Sequence, residues 1–168
     1  MGTRNIEGGY AVGEYYISPD EIKKIIRVVI KGESGYASVD EAFKDKLTIT
    51  RDSIRYEYIP MIATEINPVR RWSYKTTSPI FQKYFDDLTR LIPGMLVWEG
   101  IFIKDVGPIT FLITYADNTK EKREFYLSGD DFKEVFSVVK KMVPGCEYVP
   151  AVLLTSEDYA EFDGREDE

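Results

Sequence analysis

Apolar and polar residues alternate along several short stretches of this chain and give way twice to a helical stripe. Leu47-Thr48-Ile49-Thr50 and Ile54-Arg55-Tyr56-Glu57-Tyr58 switch with period two, as do Arg71-Trp72-Ser73-Tyr74-Lys75 and the run from Ile109 to Tyr115. That period places one side of a strand in a core and the other in water. Arg51-Asp52-Ser53 turns the first run into the second. Asp117-Asn118 turns the fourth into Glu121–Leu127, a hairpin pattern. The β-branched run Ile25–Ile30 predicts a further strand after one helical turn opened by Ser18-Pro19. Val97–Ile103 and Tyr148–Leu154 predict two more, with loops over Gly32 to Asp45 and Pro60 to Pro68.

The stripes mark the helices. Ser78-Pro79 opens one with Ile80, Phe81, Tyr84, Phe85, Leu88, Leu91 and Ile92 on one side, and Pro93-Gly94 is expected to stop it. Ser128-Gly129-Asp130-Asp131 caps the second, whose stripe is Phe132, Val135, Phe136, Val139, Met142 and Val143. Pro144-Gly145 ends it.

These units echo each other. Phe81 and Phe132 lie 51 positions apart, as do Pro93 and Pro144, while Arg71 to Arg123 and Tyr74 to Tyr126 are one position more. A fixed spacing is the mark of a repeated supersecondary unit. The fold expected is α+β: an antiparallel sheet with two main helices packed on one face, built by internal duplication of a strand-helix-ProGly unit. The repeats span about 47–94 and 97–145 within a single domain over 17–154. A loose Gly-containing segment, 1–16, precedes it and an acidic tail, 155–168, follows it.

Charge changes the picture only by its location. The net −7 is concentrated in the tail, which carries seven carboxylates against Arg165 and leaves about −1 for the rest. Such a body has no overall basic field, which argues against nucleic acid as a partner. No apolar run approaches the roughly 18 residues of a membrane span, and no signal peptide opens the chain. With one cysteine, Cys146, no internal disulfide can form, and a cytoplasmic setting fits. Cys146, just after Pro144-Gly145, is expected to be a buried structural thiol.

Candidate chemistry is sparse. The absence of histidine removes Ser-His-Asp and Cys-His catalysis and histidine metal ligation. No Gly-rich phosphate loop and no zinc or calcium spacing occurs, so no cofactor and no metal is expected. Asp130-Asp131 suits a helix start and Asp86-Asp87 a wet helix face. The remaining pattern is basic and aromatic: Arg71, Trp72 and Tyr74 before the first helix, Arg123 and Tyr126 before the second. Guanidinium groups beside planar rings suit an anionic ligand or an acidic protein segment. The function expected is a non-enzymatic module binding a protein partner or a small anionic ligand through those five residues. The competing reading is a small-molecule enzyme or sensor, with Glu57 or Glu99 and a Tyr hydroxyl in a pocket between the repeats.

Overall fold

The computed structural model describes residues 23–35, 37–96, 107–126, 132–155 and 158. The Ser18-Pro19 turn, the Val97–Ile103 strand with Glu99, the Ser128–Asp131 cap and nearly all of the acidic tail lie outside those residues. Six strands form one antiparallel sheet: β1 (Ile25–Glu33), β2 (Phe43–Thr50), β3 (Ser53–Pro60), β4 (Arg70–Lys75), β5 (Ile109–Tyr115) and β6 (Lys120–Phe125). Their order across the sheet is β4-β3-β2-β1-β5-β6. The class is α+β, with two helices, α1 (Pro79–Leu96) and α2 (Lys133–Met142).

The alternation decides which side of each strand is covered. Cross-strand partners share a face, so register carries the pattern through the sheet. Val28 pairs Ile49, which pairs Ile54, and all three are fully buried. Val28 also pairs Ile113, and Ile30 pairs Phe111, on the same side. A bulge between Ile25 and Arg27 inserts one residue and lets Ile25 and Val28 share that side despite their odd spacing. Phe81, Phe85 and Leu88 of α1 and Phe136 and Val139 of α2 join these residues, with Phe132, in one core cluster. Both helices therefore lie on one face of the sheet and pack against each other. Asn118, at φ 70°, supplies the left-handed residue that closes the β5–β6 hairpin.

Several sequence expectations need correction. β1 runs on to Glu33 and β2 begins at Phe43, because the mostly polar stretch between them still pairs in register from Gly32–Asp45 to Glu33–Lys44. α1 does not stop at Pro93-Gly94 but continues to Leu96. Pro93 costs a helix about 3 kcal/mol through its missing N–H and its clash with the preceding turn. Met95 and Leu96 beyond it are buried, and such side chains gain about 1.5–3 kcal/mol each. Val143 does end α2 in extended geometry before Pro144. The segment 148–154 is not a strand. It carries a 3-10 turn, Ala151–Leu153, whose Val152 and Leu153 are buried. Cys146 is exposed.

Gly32 is required where this turn meets the sheet. A Cβ there would stand 2.6 Å from Asp45 Oδ1 and 2.7 Å from Val152 Cγ2. Gly32→Ala is accordingly expected to destabilise the protein by about 1–3 kcal/mol, the usual cost of overfilling a packed contact. A denaturant midpoint unchanged within error would contradict this.

Candidate functional site

Alternation leaves a second sheet face, opposite the helices, that no described element covers. Register reads out its side chains. The row through its middle runs Arg71, Glu57, Lys46, Lys31, Thr110, Glu124 from β4 to β6. The neighbouring row runs Ser73, Arg55, Thr48, Val29, Leu112, Lys122. Arg27, Lys44, Lys75 and Lys120 complete a set of nine cations, against Glu33, Glu57 and Glu124.

This distribution differs from that of the rest of the surface. Elsewhere, Arg51 pairs with Asp86 at 3.1 Å, Lys83 and Arg90 with Asp87 at 3.3 and 2.8 Å, and Lys140 with Asp158 at 2.8 Å. On the open face, Arg71 alone of the nine cations makes an ion pair among the described residues, to Glu57 at 2.8 Å. Lys31 and Lys46 stand directly opposite each other on β1 and β2. Like charges at that position oppose sheet pairing.

Two shallow hollows mark the face, with volumes of about 360 and 370 Å³. Lys31, Glu57, Leu112 and Lys122 line the first, and Arg27, Thr48, Arg55 and Lys75 the second. Lys46, half-buried, borders both. The hydrogen bond from Arg71, with the charges of Arg71, Lys46 and Arg55, holds the Glu57 carboxyl below the usual carboxylate range. A carboxylate kept ionised in this way is a poor proton donor.

The five residues singled out from sequence are not brought together. β4 and β6 are the two edges of the sheet, about 24 Å apart at the ordinary strand spacing. Alternation also separates bases from rings. Arg71 lies on the open face, whereas Trp72 packs against Tyr56 on the helix side with ring centroids 5.6 Å apart. Tyr74 pairs Ile54 on that same side but stays exposed at the edge. Arg123 also faces the helices, where its guanidinium lies over the Phe125 ring and donates to the Leu96 carbonyl. Tyr126 is exposed and its hydroxyl donates to Glu124 at the rim of the open face. Arg71 and Arg123, 52 apart, thus point to opposite sides. Trp72 and Arg123, 51 apart, point to the same side, as do Tyr74 and Phe125. A one-residue slip in a strand inverts every side chain.

Sequence reasoning also missed a buried polar cluster on the helix side. Asp45 is 4% exposed, and its Oδ2 accepts from the Tyr56 hydroxyl at 2.7 Å and the Val152 N–H at 2.9 Å. The Tyr56 hydroxyl in turn accepts from the Ala151 N–H at 3.2 Å. Burial pushes the Asp45 carboxyl up to about 6, against the opposing effect of those hydrogen bonds. Burial, and then the Asp45 charge, push Tyr56 up. The cluster ties the 3-10 turn to the sheet and is closed to solvent, so its role is structural.

No described group of three or more Cys, Asp or Glu residues has the arrangement to hold a metal ion. No described helix is long and apolar enough to cross a membrane. No family model, curated protein or solved structure matches the chain.

Proposed function

We propose that this protein is a non-enzymatic binding module whose open sheet face takes an extended anionic ligand. The Lys31–Lys46 pair carries the reading. Directly opposed like charges cost a sheet about 0.2–1 kcal/mol relative to neutral residues. Glu57, the carboxylate opposite Lys46, is ion-paired with Arg71, and Lys31 has no carboxylate opposite it on either neighbouring strand. An anion lying across the face would neutralise the excess of cations. Arg71 and Tyr126 lie at the two edges of this surface. Trp72, Tyr74 and Arg123 point to the helix side, and in this reading they support the edge strands.

The duplication belongs to the same proposal. Units of about 47–94 and 97–145 are read as repeats at a spacing of 51, which is supported by matching faces at Trp72 and Arg123, Tyr74 and Phe125, Phe81 and Phe132. β1, which precedes both units, fills the sheet position beside β5.

Replacing Lys46 with Thr separates folding from binding. Lys46→Thr relieves the contact with Lys31 but also removes the charge opposite Glu57, so stability is expected to change by less than about 1 kcal/mol. Retention on immobilised inorganic polyphosphate should fall at the same time. Unchanged retention, or a loss of stability matching the loss of binding, would count against the proposal.

A further inference from the structure

We infer that the anionic ligand of the open face is double-helical nucleic acid, held by its phosphates without reading of its bases. The inference rests on the face being an anion-binding surface and adds the class of ligand.

Side-chain chemistry selects among the polyanions. Between the cations of this face stand the hydroxyls of Thr48, Thr114 and Ser73. Arg, Lys, Ser and Thr are the side chains that contact phosphate and sugar. Protein interfaces are built differently, around aromatic and apolar anchors with Lys depleted. No Phe, Trp or Tyr stands in the interior of this face, because alternation turns Tyr56, Trp72, Phe111 and Phe125 toward the helices. An acidic protein segment would find charge here but no aromatic anchor.

The same absence separates duplex from single strand. Surfaces for single-stranded nucleic acid stack unpaired bases on several aromatic rings, and among the described residues this one offers only Tyr126, at its β6 rim. A duplex keeps its bases stacked internally and presents only phosphates. Membrane insertion fails on the apolar residues. Val29 is buried, Leu112 beside it is only partly exposed, and Ile59 is a single exposed aliphatic near the end of β3. Other exposed aliphatics, Met61, Ile62, Ile66 and Val69, belong to the loop between β3 and β4.

Size and field agree with a duplex. Six strands span about 24 Å from edge to edge. Duplex DNA carries one charge per about 1.7 Å of axis, so a footprint of that length offers more phosphates than the face has cations. The overall charge of −7 does not oppose this. Nine cations against three carboxylates give this face a local excess of positive charge, and such a patch steers a polyanion toward itself whatever the net charge.

The test is fluorescence anisotropy with a labelled 20-base-pair DNA duplex of mixed sequence, titrated with the full chain between 50 and 200 mM salt. Binding should be independent of sequence, and log K should fall linearly with log salt. The Lys31→Thr/Lys46→Thr double variant should weaken binding at least tenfold at the lowest salt and reduce the salt slope by about 2, one for each phosphate no longer neutralised. The Lys31→Arg/Lys46→Arg variant should retain both, and circular dichroism melts verify that each variant folds. Parallel titrations use a single strand of equal length, poly-glutamate and vesicles of anionic lipid. If any of these binds as tightly as the duplex, or if the double Thr variant leaves duplex binding intact while polyphosphate retention still depends on Lys46, this inference is wrong and the anion-binding reading stands. If none of the polyanions binds at 50 mM salt, both fall.

Discussion

Phe136→Ala should lower the stability of the protein by about 3–5 kcal/mol, the cost of deleting a buried aromatic ring and leaving a partly collapsed cavity. Phe136 is completely buried on α2. Its ring centroid lies 6.4 Å from that of Phe111 on β5 and 5.5 Å from that of Phe132. Phe111 meets Phe125 edge-on at 6.0 Å, which links the cluster to the edge strand β6. Truncation would therefore remove the packing that fixes α2 over the β5–β6 half of the sheet. For a chain of this length about 1 kcal/mol moves the melting temperature by roughly 2–4 °C, so a drop on the order of 10 °C is expected. Phe136→Leu fills most of the volume and should cost much less. A melting shift for Phe136→Ala below about 2 °C would mean that α2 is not packed as described.

How legible this fold was in the sequence depends on the kind of signal. The buried side of β2, β3 and β5 could be read directly, because period-two alternation depends only on the pleat: Leu47, Ile49, Ile54, Phe111 and Ile113 are all fully buried. The helix stripes were readable for the same reason, although Ile80 at the edge of the first stripe is exposed. The end of α1 was not readable at Pro93, since the penalty of a proline is local while the burial of Met95 and Leu96 depends on tertiary packing. Nor could the turn at Ala151–Leu153 be distinguished from a strand. A short apolar run has no period of its own, and the feature that fixes this one is Asp45, more than a hundred positions earlier.

The candidate site was written in the sequence but concealed by summing. Lys31, Lys46, Arg55 and Lys122 occupy the polar positions of strands whose apolar positions were readable, so the alternation that predicts the core also predicts where those cations point. Net charge averages this face with the acidic tail and the rest of the chain and so hides the local excess of cations. The basic-aromatic clusters were visible for the opposite reason. Adjacent residues in a strand look like one group on paper, yet they point to opposite faces, which is how Arg71 and Trp72 come to be separated by the thickness of the sheet.

Asp45 should give the protein an unusual dependence on pH. Its carboxyl is raised from an ordinary 3.8 to about 6 in the folded state, chiefly by burial. Oδ1 has no partner among the described residues, and both hydrogen bonds fall on Oδ2. A folded value above the unfolded one means that the native state binds this proton first. The stabilising contribution is therefore complete below about 3.8 and is lost as pH rises through about 6. A shift of this size corresponds to about 3 kcal/mol between the two limits. The carboxylates Glu57, Asp87 and Asp117, held below their usual range by ion pairs and hydrogen bonds, act with the opposite sign as pH falls. The total curve mixes these effects, and comparison with Asp45→Asn isolates the buried group. The Asn side chain keeps an oxygen to accept from Tyr56 and Val152 but never ionises. Asp45→Asn should be the more stable protein at pH 7.5, and its advantage should shrink by roughly 2–2.5 kcal/mol by pH 4, measured as urea unfolding free energies at each pH. Asp45→Ala strands both donors and should be less stable than Asp45→Asn at every pH, by about 1–3 kcal/mol. A difference between wild type and Asp45→Asn that stays constant from pH 4 to 7.5 would show that Asp45 titrates normally and that water reaches it.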